Sequence, residues 1–254
     1  MALMIAVIAV GTAIATARVK PKPTVVRAGN LVLTVNGGVT PKALPKNELA
    51  AIAFWGSADL ATTDGSHPPA FKESIFDVDR DVVVDVKGIP ACTKAPLLNR
   101  NTTDAKAACP KAILGTGKGT VEVAFPESTP IHSTSPILLF NGGEKGGVTT
   151  FYVHAYVAIP APTAVVATVK ATRIVNGPYG LRFTASLPLL AGGSGSPTHF
   201  DIRTYRYVED KHGKKRGWLF AKCADGRLQA KGSVKFRDGT TLFGALARAC
   251  QVAG

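Results

Sequence analysis

The sequence has no Cys-x-x-Cys pair, no histidine at zinc-finger spacing and almost no sustained helical periodicity. The first two absences argue against a zinc module, and the third argues against a helical fold. No Ser-His-Asp or Cys-His set stands out, and we predict no catalytic residue, metal site or cofactor. After the first apolar stretch, Pro or charge interrupts every apolar run before it reaches the roughly 20 residues of a membrane-spanning helix.

Residues 1–17 are typical of an export signal. Residues 2–15 are almost continuously apolar, and Ala15-Thr16-Ala17 places small residues where a signal peptidase reads them. The segment departs from the usual pattern because no Lys or Arg precedes the apolar stretch. We therefore predict a secreted protein, extracellular or loosely associated with the cell surface, in a space where disulfides form.

The four cysteines form an even set in a chain predicted to be exported. They are Cys92, Cys109, Cys223 and Cys250. Four cysteines allow three connectivities, and we favour Cys92–Cys109 and Cys223–Cys250 because each closes a short local loop. Each disulfide would stabilise the fold by about 3 kcal/mol, mostly by restricting the unfolded chain.

Short strand-like segments, separated by Gly, Pro, Asn and Asp, follow the signal along the whole chain. This pattern predicts an all-β fold, an antiparallel β-sandwich or jelly roll, with one short helix at 105–109 in an insertion bounded by a disulfide. We expect a flexible basic leader at 18–29 and a single large β-sandwich domain at 30–254. A Gly-rich flexible link near 191–197 is the place where that domain would subdivide.

Turn signals between the strand-like segments predict local hairpins. Asp225-Gly226 and Asp238-Gly239 are strong hairpin signals, because Gly accepts the positive φ that tight turns demand, and Asn176-Gly177-Pro178 joins another strand pair. Residues 141–147 predict a long, mobile hairpin loop rather than a phosphate-binding loop, since the spacing of that motif is missing. The predicted strand pairs are 71–78 with 82–86, 136–140 with 148–159, 165–175 with 179–187, 198–208 with 217–223, and 228–236 with 241–247.

One candidate ligand-binding surface lies on residues 151–157. Alternate strand residues face opposite sides, so Tyr152, His154 and Tyr156 share one face and apolar residues share the other. Two phenols beside an imidazole offer flat apolar surface with polar edges, which suits sugar rings. The alternative is a partly buried second face whose polar atoms find partners inside the protein.

A second candidate ligand-binding surface lies on residues 198–208. The side chains that face one way there are His199, Asp201, Arg203, Tyr205 and Tyr207. Arg203 and the tyrosines would suit an anionic polymer, whereas the alternative is a solvated sheet face. The strongly basic hairpin tip at 211–216 is either an exposed end or an electrostatic docking point.

Acidic residues give two further candidates. Asp77, Asp79 and Asp81 resemble a calcium loop in their spacing, but the Gly and the distal Glu of such a loop are missing, so acidic turn residues of a hairpin are the alternative. Glu73 and Glu122 lie on predicted strands. They are candidates for the two carboxyl groups of a retaining glycosidase, which lie about 5–5.5 Å apart.

Several phrases of the chain resemble a group of exported β-sandwich proteins of actinobacterial type that has no assigned activity. The phrases are Leu44-Pro45-Lys46, Asp64-Gly65-Ser66-His67-Pro68-Pro69, Gly88-Ile89-Pro90-Ala91-Cys92, Cys109-Pro110-Lys111-Ala112, Leu139-Phe140-Asn141-Gly142 and Ala191-Gly192-Gly193-Ser194-Gly195-Ser196. They are turns and disulfide corners. The resemblance therefore implies export and a β architecture over most of the mature chain, and it transfers no functional residue.

The charge balance favours anionic partners. The chain has 30 Lys and Arg against 17 Asp and Glu, a net charge of +13. Our leading hypothesis is a secreted, disulfide-stabilised β-sandwich that binds an anionic or carbohydrate partner of the cell envelope without catalysis. The alternatives are an extracellular polysaccharide-active hydrolase and a structural component of the cell surface or matrix. Nucleic acid is the least favoured partner, because export removes most of its opportunity.

Overall fold

The computed structural model describes residues 21–126 and 128–253. The predicted signal peptide at 1–17 and the first three residues of the predicted leader lie outside this range. The described chain is mostly β-strand, with one α-helix and two disulfides, which confirms the all-β antiparallel prediction. None of the helices in that range has the length and apolar character needed to cross a membrane.

Twelve strands form one large antiparallel sheet. The strands in chain order are β1 (Thr24–Ala28), β2 (Leu31–Thr40), β3 (Ala43–Leu44), β4 (Ala50–Ala51), β5 (Ala53–Thr62), β6 (Phe71–Asp79), β7 (Val82–Val84), β8 (Ile113–Val123), β9 (Ile131–Lys145), β10 (Val148–Val157), β11 (Thr163–Arg173), β12 (Tyr179–Ser186), β13 (Gly195–Thr204), β14 (Val208–Glu209), β15 (Lys215–Arg216), β16 (Leu219–Ala221), β17 (Arg227–Phe236), β18 (Thr241–Ala249) and β19 (Gln251–Val252). The large sheet has the order β1-β2-β5-β13-β8-β9-β10-β11-β12-β6-β17-β18. The small sheets are β4-β16-β7, β14-β15 and the parallel pair β19-β3.

The large sheet curves back on itself so that its two edge strands, β1 and β18, lie against each other. Arg248 on β18 holds the two ends together. Its Nε donates to the Gly37 carbonyl oxygen at 2.9 Å. Its Nη2 donates to the Lys22 carbonyl oxygen at 3.1 Å and to Asn36 Oδ1 at 2.8 Å. Burial lowers the pKa of Arg248, but the group stays charged because an arginine pKa starts so high.

The main apolar core lies on the inner face of the curved sheet. Its largest cluster packs the central strands against the small β4-β16-β7 sheet, through residues that include Leu114, Phe151, Ile202, Trp218 and Leu219. A second cluster, with Leu33, Phe236 and Leu242, joins the two ends of the sheet. Because strand residues alternate between faces, the strands that supply this inner core also present a second set of residues on the outer face of the sheet.

An insertion at 92–112 adds a second apolar layer on the outer face of β9, β10 and β11. It contains α1 (Thr102–Ala108) and two 3₁₀ segments, Ala95–Leu97 and Pro110–Ala112. The Cys92–Cys109 disulfide closes it, and Asn101 caps α1 by accepting a hydrogen bond from the Asp104 N–H at 2.9 Å. The predicted helix and both favoured disulfides are therefore confirmed.

Two segments that we predicted to be flexible belong to the sheet instead. Thr24–Ala28, in the predicted leader, form β1 because their alternating apolar residues pair with β2. Residues 192–196, in the predicted link, form a 3₁₀ turn and the start of β13. Ser196 there is fully buried, and its hydroxyl donates to the Pro68 carbonyl oxygen at 2.7 Å. A Gly-rich composition alone did not reveal this tertiary partner.

Three predicted hairpins are confirmed, namely β9 with β10, β11 with β12, and β17 with β18. Three are wrong. β6 pairs with β12 and β17, while β7 joins the small sheet. The predicted pair of 198–208 with 217–223 is reduced to the short β14–β15 ladder. The hairpin predicted at Asp225-Gly226 is also wrong, because β16 before this turn pairs with β4 and β7, and β17 after it pairs with β6 and β18. The loop predicted at 141–147 is a tight turn at Gly146 and Gly147, whose φ values of 59° and 75° suit glycine.

Candidate functional site

The insertion covers much of the first predicted surface, on β10. Phe151 and Val157 point into the core and are 3% and 7% exposed, so the predicted alternation is confirmed. On the outer face, His154 is 0% exposed and Tyr152 packs against the apolar cluster beneath the insertion. Tyr156, farther along the strand, is partly exposed. Tyr152 and His154 therefore match the alternative of a buried second face.

His154 is a buried histidine that links the sheet to the insertion. Its Nε2 lies 3.0 Å from the Arg100 carbonyl oxygen, which only accepts, so Nε2 carries the proton. Its Nδ1 is buried and has no hydrogen-bond partner among the described residues. Burial lowers the pKa of His154, because protonating Nδ1 would place an unpaired charge inside the protein.

The second predicted surface is open to solvent. We call its outward residues the polar stripe, which consists of His199, Asp201, Arg203, Tyr205 and Tyr207. Ile202 and Thr204 are buried between the outward residues of β13, so the predicted alternation is confirmed within that strand, whereas the chain bends at Arg206 after the strand has ended. The Tyr205 N–H donates to the Leu114 carbonyl oxygen at 2.7 Å, which continues the pairing with β8 beyond the end of β13. At about 3.3 Å per residue, the part of the stripe that lies on β13, from His199 to Arg203, is about 13 Å long.

The strands on either side add residues to the same outer face. Directly opposite residues of antiparallel strands share a face, with Cβ atoms about 4.5–5.5 Å apart. The polar stripe is therefore the middle row of a surface three strands wide. On β5, Asp59 lies opposite His199 and Trp55 lies opposite Arg203. On β8, Lys118 lies opposite Asp201 and Thr116 lies opposite Arg203.

His199 lies between two carboxylates. Its Nδ1 is 2.6 Å from Asp59 Oδ1, and its Nε2 is 3.4 Å from Asp201 Oδ2. The hydrogen bond with Asp59 is the main reason that the pKa of His199 is raised, while partial burial opposes the shift. The two carboxylates hold the ring in place and bring hydrogen-bond acceptors to the exposed surface.

Lys118 and Arg203 are exposed cations beside Asp201. Neither forms an ion pair with a carboxylate within the described part of the chain. Together with Thr116, Gly117 and Asp201 they line an open depression of about 400 Å³. Diagonal cross-strand neighbours lie about 7–8 Å apart, so one anionic group of a ligand can reach both cations.

Aromatic side chains extend this surface. Tyr205 and Tyr207 are 43% and 50% exposed, and Trp55 lies half-buried opposite Arg203. The guanidinium carbon of Arg206 is 5.1 Å from the centroid of the Tyr207 ring. The Trp218 Nε1 donates to the Tyr205 carbonyl oxygen at 2.8 Å. The first contact restrains the Tyr207 ring and the second fixes the Tyr205 backbone, and restraint of the ring lowers the entropy cost of ligand binding at Tyr207.

The polar stripe runs directly into the predicted basic tip, which is the short β14–β15 hairpin. Asp210 orders the tip because its Oδ1 accepts hydrogen bonds from the backbone N–H groups of His212 and Lys214. The hydrogen bond from Lys214 is the main reason that the pKa of Asp210 is lowered. Arg216 fixes the hairpin to the segment after β7 through Asp85 Oδ2, at 2.7 Å. The exposed lysines of the tip are Lys211, Lys214 and Lys215.

The acidic residues at 77–81 stabilise the fold. Asp79 is buried and accepts hydrogen bonds from the backbone N–H groups of Asp81 and Gln229, at 3.0 and 3.2 Å. Asp77 forms a bidentate pair with Arg182, at 2.7 and 2.9 Å. Within 21–126 and 128–253, no group of three or more His, Cys, Asp or Glu is placed to hold a metal ion. The calcium-loop interpretation therefore has no support.

The two glutamates considered for glycoside hydrolysis are far apart. Glu73 is on β6 and Glu122 is on β8, with β9, β10, β11 and β12 between them. At about 4.8 Å per strand they lie roughly 24 Å apart along the sheet, far from the spacing of about 5–5.5 Å in a retaining enzyme. Glu122 instead contacts two histidines, with Oε1 2.7 Å from His67 Nδ1 and Oε2 3.7 Å from His132 Nε2.

A smaller cavity of about 170 Å³ lies where the two ends of the sheet meet. Its walls include Val39, Trp55, Leu228 and Arg248. The Arg248 guanidinium already donates to backbone carbonyls and to Asn36, so its charge serves the closure of the sheet. This cavity is therefore a weaker candidate than the depression beside Asp201.

Sequence analysis missed Asp59, Trp55 and Lys118 as members of the surface. Each is a lone residue on a strand of its own, without a motif around it. Asp59 and His199 are 140 residues apart in the chain yet hydrogen-bonded. Alternation predicts which residues of one strand share a face, but it does not predict which strand lies beside it.

Comparisons with known proteins assign no role to any residue of this surface. No protein-family model, curated protein sequence or solved structure matches the chain. The resemblance to exported proteins of actinobacterial type is not tested by these comparisons and stays a prediction.

Proposed function

We propose that the protein is exported and binds an anionic or carbohydrate polymer of the cell envelope through the polar stripe, without catalysis. The export part is supported by the pattern of residues 1–17 and by the two disulfides, which are typical of oxidising compartments. The choice of an anionic partner is supported by the net charge of +13.

The observation that carries the binding proposal is the open surface around Arg203. Lys118 and Arg203 offer positive charge, Asp59 and Asp201 offer hydrogen-bond acceptors, and exposed tyrosines continue the same row. An open surface that runs along β13 and past the two tyrosines suits a long polymer better than a small molecule, since small molecules favour enclosed pockets. The basic hairpin extends the row with further lysines.

The two alternatives have less support. A hydrolase of this kind needs a carboxyl group with a raised pKa that is open to substrate, whereas Asp79, whose pKa burial raises, is buried and hydrogen-bonded to the backbone. A self-associating matrix component needs free sheet edges, whereas β1 and β18 lie against each other.

Retention on purified cell wall tests the proposal. We expect the wild-type protein to bind at low salt and to be released as salt rises, because salt screens exposed charges. The double variant Lys118→Gln/Arg203→Gln should be retained at least about tenfold less, a loss of about 1.4 kcal/mol.

The matched control for this experiment is Lys235→Gln/Arg237→Gln, which removes the same charge from exposed positions on β17 and just after it. We expect this control to be retained like the wild type. Equal loss in both double variants would mean that net charge, and not the polar stripe, governs retention. No retention of the wild type at low salt would contradict the proposal as a whole.

A further inference from the structure

We infer that the polymer recognised by the polar stripe is a carboxylated polysaccharide, that is, a chain of sugars bearing uronic-acid-type carboxylates. This inference rests on the proposed function and narrows it to one ligand class. The competing class is a phosphate-rich polymer, such as a polyphosphate or a phosphodiester chain. The charges, hydrogen-bond acceptors and aromatic rings of the stripe separate the two classes.

The cations are arranged to hold a carboxylate. Arg203 presents a planar guanidinium, whose paired N–H groups match the two oxygens of a carboxylate. Lys118 lies diagonally across on β8 and adds a point charge at the same depression. Both side chains are exposed and lack an ion-pair partner among the described residues, so they can bind a ligand without first breaking a salt bridge.

The carboxylates beside these cations argue against a densely charged polymer. Asp201 lies directly opposite Lys118 and two residues before Arg203 on β13. Asp59 lies on the neighbouring strand β5, opposite His199. Asp59 and Asp201 therefore balance the charges of Lys118 and Arg203, whereas surfaces that bind phosphate chains gather cations to neutralise many phosphates. The two carboxylates would accept hydrogen bonds from the hydroxyl groups of sugars, which a polyphosphate chain does not offer.

The tyrosines provide the apolar part of sugar recognition. Tyr205 and Tyr207 follow the end of β13 and are 43% and 50% exposed. The Arg206 guanidinium carbon lies 5.1 Å from the centroid of the Tyr207 ring, and Trp218 holds the Tyr205 backbone by a hydrogen bond to its carbonyl oxygen. Flat rings with polar edges match sugar rings, which present apolar faces and a rim of hydroxyls. A phosphate chain offers no such apolar face.

Isothermal titration calorimetry with three probes tests this inference on the purified protein. The probes are polygalacturonate, its fully methyl-esterified form, and long-chain inorganic polyphosphate. Esterification removes the carboxylate charge and keeps the sugar chain, so it isolates carboxylate recognition. We expect polygalacturonate to bind at least about tenfold more tightly than either of the other probes, which corresponds to about 1.4 kcal/mol.

Variants assign the binding to individual parts of the stripe. Arg203→Lys keeps the charge and loses the paired N–H groups, so affinity for polygalacturonate should fall severalfold. Tyr205→Ala/Tyr207→Ala should weaken both sugar probes. Lys235→Gln/Arg237→Gln is the charge-matched control and should bind polygalacturonate like the wild type, with circular dichroism verifying the fold of each variant.

The outcomes separate this inference from the proposed function. Tightest binding of polyphosphate, lost in Lys118→Gln/Arg203→Gln, would overturn the carboxylated polysaccharide and leave an anion-binding stripe. Equal affinity for both sugar probes would overturn carboxylate recognition and leave a carbohydrate-binding stripe. Failure of all three probes, with cell-wall retention that depends on the stripe, would overturn only the ligand class. Failure of both experiments would overturn the proposed function as well.

Discussion

At the scale of single residues, two histidines on the same outer face have opposite electrostatics. His154 is buried with an unpartnered Nδ1, and its pKa is lowered by desolvation. His199 is hydrogen-bonded to Asp59, which raises its pKa above the ordinary value. His199 therefore contributes stability below about pH 6.5, and that contribution is lost as the pH rises through its folded-state pKa. Because the His199–Asp59 pair is partly exposed, it contributes about 1 kcal/mol or less to the free energy of unfolding.

His154 gives the clearer pH prediction. Its folded-state pKa lies below the unfolded value, so its contribution is fully present above about pH 6.5 and is lost as the pH falls below that value. We expect the free energy of unfolding to decrease between about pH 7.5 and about pH 5 in the wild type. In His154→Leu that decrease should be smaller, because the residue no longer binds a proton in the unfolded chain.

The same variant should be less stable at neutral pH by about 1–3 kcal/mol, since the Arg100 carbonyl oxygen loses its hydrogen bond inside the protein. Urea unfolding at both pH values measures the two effects. An equal decrease on acidification in the wild type and in His154→Leu would show that His154 does not titrate in this way.

At the scale of secondary-structure elements, the close contact between β8 and β13 positions the polar stripe. A Cβ atom on Gly117 of β8 would lie 1.9 Å from the Asp201 carbonyl oxygen of β13. The two strands can keep this approach only if position 117 has no side chain. The backbone that presents Asp201 and Arg203 therefore depends on the absence of a side chain at position 117.

Gly117→Ala should consequently separate β8 from β13 and disturb the stripe. We expect a loss of about 3 kcal/mol in unfolding free energy, together with weaker retention on cell wall. Gly244→Ala is the matched control, because its new Cβ would meet only a side-chain carbon of Val26, at 3.2 Å. Thermal unfolding compares the two variants. Equal stability of both would contradict the tight β8–β13 contact.

At the scale of the whole molecule, the sequence predicted contacts between segments close in the chain better than contacts between distant segments. The β11–β12 and β17–β18 hairpins follow their turn residues, since Gly177 and Gly239 adopt φ values of 92° and 94°. Both disulfides follow from short spacing. The position of β13 between β5 and β8 had no local signal, because it depends on packing between segments about 140 residues apart. The stripe was therefore predicted as a row, but its flanking residues were not.

Sequence patterning also could not show that the insertion covers His154. The face with Tyr152, His154 and Tyr156 has the same alternation whether it meets solvent or an apolar layer. The layer comes from residues 92–112, which the Cys92–Cys109 disulfide folds over β10. Burial of a polar face in this way is decided by tertiary packing, not by the strand itself.

The account depends centrally on a protein that works outside the cytosol with two intramolecular disulfides. Intact-mass analysis of the native protein, recovered from its source without reducing agent, tests this directly. We predict a polypeptide that begins at Arg18 and whose mass increases by four hydrogens on reduction, since two disulfides open. A native protein that retains residues 1–17 and carries four free thiols would contradict the account.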